Sequence, residues 1–177
     1  ERLRALLGGL LEELEQTSCD GVFIAGGVVL DALMPDRPIL VPETRDSSDF
    51  SRIMGCEDRS LCGGDEDIYL VGLSAEDIEE RLWDVVAAAK RAERRTVELA
   101  HDPAVLLMRT VCAATCYRRK HRDVQVILGC FTSAFHFLVG SDVDCCCVCY
   151  DVKARAAFCT PRGRRALCHG VNLVDSR

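Results

Sequence analysis

Asp65 and Asp67 flank a glutamate in Asp65-Glu66-Asp67-Ile68-Tyr69-Leu70, and the apolar continuation to Val71 places the trio at the start of a strand. Alternate side chains of a strand share a face, so Asp65 and Asp67 point one way and Glu66 the other. Two carboxylates about 6 to 7 Å apart along a strand can hold one or two Mg²⁺ ions. Upstream, Val22 to Ala25 is a short apolar run stopped by Gly26-Gly27. Val28 to Met34 then reads as a helix that Pro35 closes. A glycine turn that opens a helix offers backbone N–H groups to phosphates. A cradle for phosphates and carboxylates for metals are the parts that phosphoryl or nucleotidyl transfer needs. Each half also has a plainer reading. Gly26-Gly27 serves equally as a tight turn of positive φ, and Asp65 and Asp67 as the end of an acidic loop that includes Asp46, Asp49, Glu57 and Asp58.

The elements that must position these groups follow from hydrophobic spacing. Leu3, Leu6, Leu7, Leu10, Leu11 and Leu14 recur at three and four residues, which predicts one amphipathic helix ending near Ser18. The stretch 36–64, with Pro38, Pro42 and Gly63-Gly64, reads as a long loop. A strand is expected over Asp67 to Leu73. Ser74 and Asp77 then form a capping box before a helix that runs to about Arg94, with Ile78, Leu82, Val85, Val86 and Ala89 on its buried face. Beyond it, Thr96 to Leu99, Ala104 to Cys112, Val124 to Leu128 and Val143 to Tyr150 are strand candidates, and Ser133 to Val139 a short helix. On the last strand Asp142 and Asp144 would share a face, as a third acid beside Asp65 and Asp67 or as a capping turn at the strand start.

With 177 residues, of which 49% are hydrophobic and 28% charged, the chain has the size of one domain with a real core. Its 13 Gly and 5 Pro exclude collagen-like and disordered classes. No run of about 18 apolar residues suggests a membrane span, and the charged opening does not resemble a secretory signal. Because the chain opens on Glu1, it is expected to be part of a longer protein. The net charge of −6 divides unevenly: residues 1–89 carry 7 Lys/Arg against 20 Asp/Glu, and residues 90–177 carry 15 against 8. Tyr117-Arg118-Arg119-Lys120-His121-Arg122 is either a solvated hairpin turn or a clamp for nucleotide or RNA phosphates, which Arg162, Arg164 and Arg165 would extend. The twelve cysteines sit mostly in apolar runs, so they are expected to be reduced, buried thiols of an intracellular, reducing compartment. Cys145, Cys146, Cys147 and Cys149 invite a zinc reading with Cys112 and Cys116, or with Cys159, Cys168 and His169. Neighbouring strand residues point to opposite faces, however, so small core residues are the favoured reading and no zinc is expected.

Gly26-Gly27-Val28-Val29-Leu30-Asp31-Ala32-Leu33 followed by Asp65-Glu66-Asp67-Ile68 resembles the signature of the nucleotidyltransferase superfamily, which includes polymerase β and the CCA-adding and poly(A) polymerases. In the latter branch the first motif reads Gly-Gly-x-Val-Arg-Asp-x-Leu, and Leu30 stands in place of the Arg. Asp65, Asp67, Gly72, Leu73, Arg122, Val124, Gln125, Asp142 and Asp144 also resemble, in order, uncharacterised domains found in ankyrin-repeat proteins. The resemblance implies an α/β (α+β) fold, a mixed sheet flanked by helices as in a minimal nucleotidyltransferase-like core. That core would span about residues 20–150, with an N-terminal helix over 1–18 and an extension over 151–177, all within a single domain. It implies Mg²⁺ on Asp65 and Asp67, and a nucleoside triphosphate on Gly26, Gly27, Arg118, Arg119, Lys120 and Arg122. Asp142 or Asp144 would be the third acid and the acceptor an RNA or a protein. The strand that should carry that third acid has Gln125 instead, an amide that cannot take a proton from a hydroxyl. Val28 stands where many relatives place a phosphate-binding serine. The alternative implied is therefore a catalytically inactive module of the same fold, a pseudoenzyme held within a larger assembly.

Overall fold

The computed structural model describes residues 1–17, 19–34, 65–96, 106–118 and 121–173. Arg119, Lys120 and the predicted loop 36–64 lie outside them. Seven strands form one sheet in the order β3-β4-β5-β2-β1-β6-β7: β1 Val22–Ala25, β2 Glu66–Val71, β3 Leu106–Arg109, β4 Ala113–Tyr117, β5 Val124–Phe131, β6 Val148–Asp151 and β7 Ala156–Cys159. Among the described residues the β2–β5 ladder is parallel and the other ladders are antiparallel, so the sheet is mixed, as the motif order predicts. The helices are α1 Arg2–Leu7, α2 Leu10–Glu15, α3 Gly27–Leu33, α4 Ala75–Thr96, α5 Ala134–Val139 and α6 Pro161–His169. No described helix is long and apolar enough to cross a membrane.

Strand periodicity separates the two faces. Val22 and Ile24, Ile68 and Leu70, Val124 and Val126, Ala114 and Cys116 turn to one side and join α1, α2, α3 and α4 in the main core. Phe23, Tyr69, Phe131 and Phe137 form an aromatic cluster under α5 on the other side, where Tyr69 stacks on Phe137 at 4.1 Å. Asp67 shares this second face with Tyr69.

Several elements depart from the sequence reading. Gly8 and Gly9, at φ 53° and 86°, break the expected N-terminal helix into α1 and α2. At Gly8 the ring of His121 approaches so closely that a Cβ would lie 2.2 Å from it. The expected Ala104 to Cys112 strand is β3 plus a turn: Thr110 accepts from the backbone N–H of Cys112 and Ala113 and turns the chain into β4. The strand expected from Val143 begins only at Val148, because Asp144–Cys146 is a 3₁₀ turn. The segment 151–177 carries β7 and α6, which no periodicity announced. The capping box stands as read, with the Ser74 Oγ accepting from the Asp77 N–H and the Ser74 N–H donating to the Asp77 carboxylate. All ten described cysteines are free, but burial is mixed: Cys116, Cys147 and Cys149 are buried, whereas Cys112, Cys130, Cys159 and Cys168 are exposed. The exposed ones occupy a hairpin turn, the far end of β5, the edge strand β7 and the outer side of α6.

The basic run also differs. Arg118, expected in solvent or on phosphate, is fully buried and donates to Glu66 at 2.6 Å and to the Arg122 carbonyl at 2.7 Å. Arg122 is buried too and pairs with Asp31 at 2.9 Å. Burial pushes the Glu66 carboxyl above the ordinary range, and the Arg118 guanidinium opposes that rise. Among the described residues, one oxygen of Glu66 and one terminal nitrogen of Arg118 find no hydrogen-bond partner. An incompletely satisfied buried pair is worth less than a well-packed apolar one, whereas half of it is worse than either. Arg118→Met is therefore expected to cost about 3–5 kcal/mol in urea denaturation. Glu66→Met with Arg118→Met should recover most of that loss. The single variant's deficit should be smaller at pH 5 than at pH 8, since Glu66 then becomes neutral.

Candidate functional site

Gly26 ends β1 with φ 74° and ψ −148°, a conformation that side-chain-bearing residues avoid. Its second constraint is spatial: a Cβ there would lie 2.7 Å from the Asp67 Oδ2. Ala25 faces Asp67 across the β1–β2 ladder, so the glycine turn arrives directly above the carboxylate. Among the described residues, a Cβ on Gly27 would meet nothing within 4 Å. The two motifs that the sequence separates by some forty residues are thus one place in the fold.

Burial and the neighbouring charge of Asp65 push the Asp67 carboxyl up to about 6. Asp65, exposed at the mouth of β2, completes the pair. This donor set fits one hard divalent cation, because two like charges are relieved by it and Mg²⁺ takes its remaining ligands from water and phosphates. It provides no third acid. Gln125 lies in register with Asp67 on the parallel neighbour β5, and its amide nitrogen donates to the Thr115 hydroxyl at 3.4 Å. Among the described residues, no group of three or more His, Cys, Asp or Glu is arranged to hold a metal.

Asp142 and Asp144 are not on a strand. Asp142 is exposed in a bend, and Asp144 opens the 3₁₀ turn. The carboxylate of Asp144 accepts from Arg162 and Arg165, each at 2.7 Å, and from the Leu173 N–H at 3.1 Å. The Leu173 N–H and these guanidiniums hold its carboxyl down at about 2. Asp144 anchors α6 to the turn, and neither it nor Asp142 is among the charges acting on Asp67. Arg118 and Arg122 point into the core, as described above, and form no clamp beside Gly26 and Gly27. Asp31 of the glycine motif ties α3 down from two sides, through Arg122 and through its carbonyl, which accepts from Arg2 at 2.9 Å.

One residue of the site was not foreseen as such. Cys146, in the 3₁₀ turn, comes within electrostatic reach of Asp67; burial first, and then Cys145, Cys147 and Asp67, push its thiol up to about 11. It is a neutral thiol at the edge of the carboxylate pair. Its position was hidden because Asp142 to Cys147 read as strand, which would have alternated its side chains.

A family model described as Gabija anti-defense 2 family protein matches residues 1–167. The chain belongs to this family. No match is found among curated proteins. Among solved structures, this family member is similar to the Thermotoga maritima CCA-adding enzyme complexed with tRNA, at 15% identity and a TM-score of 0.47, over 96% of this chain and 31% of that one. It is similar to the Bacillus stearothermophilus CCA-adding enzyme in complex with CTP, at 14% identity and 0.47, over 98% and 34%. A CCA-adding enzyme in an apo form gives 12% identity and 0.49, over 96% and 34%. The chain spans about a third of the length of these solved chains.

Two pH dependences follow. The raised Asp67 carboxyl costs stability above about pH 6, and the cost is gone below the ordinary value of 3.8. Asp67→Asn should therefore melt higher than wild type at pH 8 and equal to it near pH 4. The lowered Asp144 carboxyl stabilises above 3.8 and loses that contribution as pH falls toward 2. Acid titration followed by circular dichroism should show this loss in wild type and not in Asp144→Asn.

Proposed function

We propose that this chain is the nucleotidyltransferase-like part of a Gabija anti-defense protein, acting inside the cell. In this reading it transfers a nucleotidyl group from a nucleoside triphosphate to an acceptor of RNA or protein. The description of its family supports the anti-defense half. One observation carries the other half: the glycine turn is packed so tightly on Asp67 that only glycine fits at Gly26, while a Cβ on Gly27 beside it would meet no described residue within 4 Å. A turn chosen only for its curvature has no need of a carboxylate under it. Asp65 and Asp67 would hold Mg²⁺, which when bound would neutralise the triphosphate's charge. The Gly26 and Gly27 backbone would orient the phosphates, and Tyr69 and the aromatic cluster keep one flank of the face apolar.

Gln125 favours a second reading. A side-chain amide is no base at neutral pH, and among the described residues Asp65 is the one acid that acts on Asp67. On that reading the chain is a non-catalytic module that keeps the fold to bind a partner within a larger assembly.

Calorimetric titration with Mg²⁺ and a panel of nucleoside triphosphates separates the two readings. Binding is expected to need Mg²⁺, to weaken below about pH 6 as Asp67 protonates, and to vanish in Asp65→Asn with Asp67→Asn. A well-folded sample that gives no heat with any triphosphate would leave the non-catalytic reading standing. If binding occurs, labelled triphosphate incorporated into an RNA or protein acceptor decides for transfer.

A further inference from the structure

Away from Asp67, the outer side of α6 and the end of β7 enclose an open cavity of about 560 Å³. Its wall includes Cys159, Thr160, Arg164, Arg165, Cys168 and His169. Positions 161, 164, 165, 168 and 169 recur at three and four residues, so one face of the helix supplies two guanidiniums, a thiol and an imidazole. Among the described residues, none that lines the cavity is acidic. Elsewhere Arg4, Arg81, Arg91, Arg95, Arg109 and Arg155 each pair with a carboxylate, which for Arg91 and Arg95 is that of the buried Glu13. Arg165 spends one nitrogen on Asp144, which fixes its stem and leaves the rest of its fork at the cavity. Among the described residues, the Arg164 side chain has no hydrogen-bond or ion-pair partner. Thr160 is buried and caps α6 by accepting from the Gly163 N–H. Its own O–H has no acceptor among the described residues.

We propose that this cavity is a second binding site, for a phosphate monoester of nucleoside monophosphate size. Guanidinium forks match the geometry and charge of a phosphate dianion, and a volume of about 560 Å³ falls in the range of small-ligand pockets. Arg164 and Arg165 take the phosphate, the Thr160 hydroxyl donates to it, and the side of α6 bearing Cys168 and His169 borders the rest of the ligand. The site needs no divalent cation, because its charges are already opposite to those of the ligand. This separates it from the Asp65–Asp67 pair, and it stands or falls independently of the proposed transfer reaction.

The test uses the full chain in EDTA, with AMP, inorganic phosphate and, as the ligand lacking phosphate, adenosine. Titration calorimetry measures affinity, and mass spectrometry follows alkylation of Cys159 and Cys168. AMP and phosphate should bind in competition and slow the labelling of both thiols, whereas adenosine should do neither. Arg164→Gln, at an exposed position, should weaken AMP binding by about tenfold or more. His169→Gln should weaken AMP more than phosphate, and Asp65→Asn with Asp67→Asn should leave both unchanged. The proposal is overturned if folded wild type binds neither AMP nor phosphate, or if Arg164→Gln binds AMP as tightly as wild type. Labelling of Cys168 that saturating AMP does not slow would equally overturn it.

Discussion

The buried pair of Arg118 and Glu66 is the constraint on which the centre of the molecule depends. Glu66 lies on the helix-covered face of β2, and its backbone N–H donates to the Asp123 carbonyl at 2.8 Å. Asp123 in turn accepts from the Arg118 N–H at 3.2 Å. These contacts clamp the β4–β5 connection onto the start of β2 and so set the parallel register in which Asp67 meets Gln125. Arg122, one residue before Asp123, reaches to Asp31 and pulls α3 into the same assembly. A single knot of charges therefore sits behind the sheet, while the carboxylate pair lies on its front. Arg118 and Arg122, which the sequence offers to a phosphate, instead hold the floor on which a phosphate would rest.

The same division of labour recurs on the other side of the site. Asp144 is taken up by Arg162 and Arg165, and this fastens α6 against the turn that carries Cys146. Buried acids among the described residues serve mainly as structural partners, and Asp67 differs, half-buried with Asp65 as the one described charge acting on it. An isolated, raised carboxylate is costly unless something else compensates, and such costs concentrate where proteins bind ligands.

Much of the central architecture was legible because its signals are local. A four-residue apolar run, a glycine pair and a 3.6-residue period give β1 and α3, and strand parity alone separates Asp65 and Asp67 from Glu66. The meeting of Gly26 with Asp67 was legible through shared chemistry, since neither motif is informative by itself. What escaped the sequence was decided at long range. Arg118 reads as surface until Glu66, 52 residues away, is known to face it. The leucine repeat runs across Gly8 and Gly9 without a break, yet both glycines take positive φ and end the helix there, and the His121 ring leaves no room for a side chain at Gly8. β4, with its alanines and a single β-branched residue, has weak strand propensity and owes its existence to neighbours on both sides. The 3₁₀ turn at Asp144 follows from arginines that come later in the chain.

Strand order also bears on the sequence of events as the chain folds. The two ends of the sheet, β3-β4-β5 and β6-β7, are built from adjacent hairpins, whereas β1–β2, β2–β5 and β1–β6 join segments distant in the chain. Closing distant segments carries the larger entropic cost, so the peripheral hairpins can form before the central ladders do. Gly26, Asp67, Gln125 and Cys146 are distributed over those central segments. The carboxylate pair therefore sits on the ladders whose closure costs the most chain entropy, and a nascent chain that has not yet emerged as far as β6 lacks the β1–β6 ladder beside it.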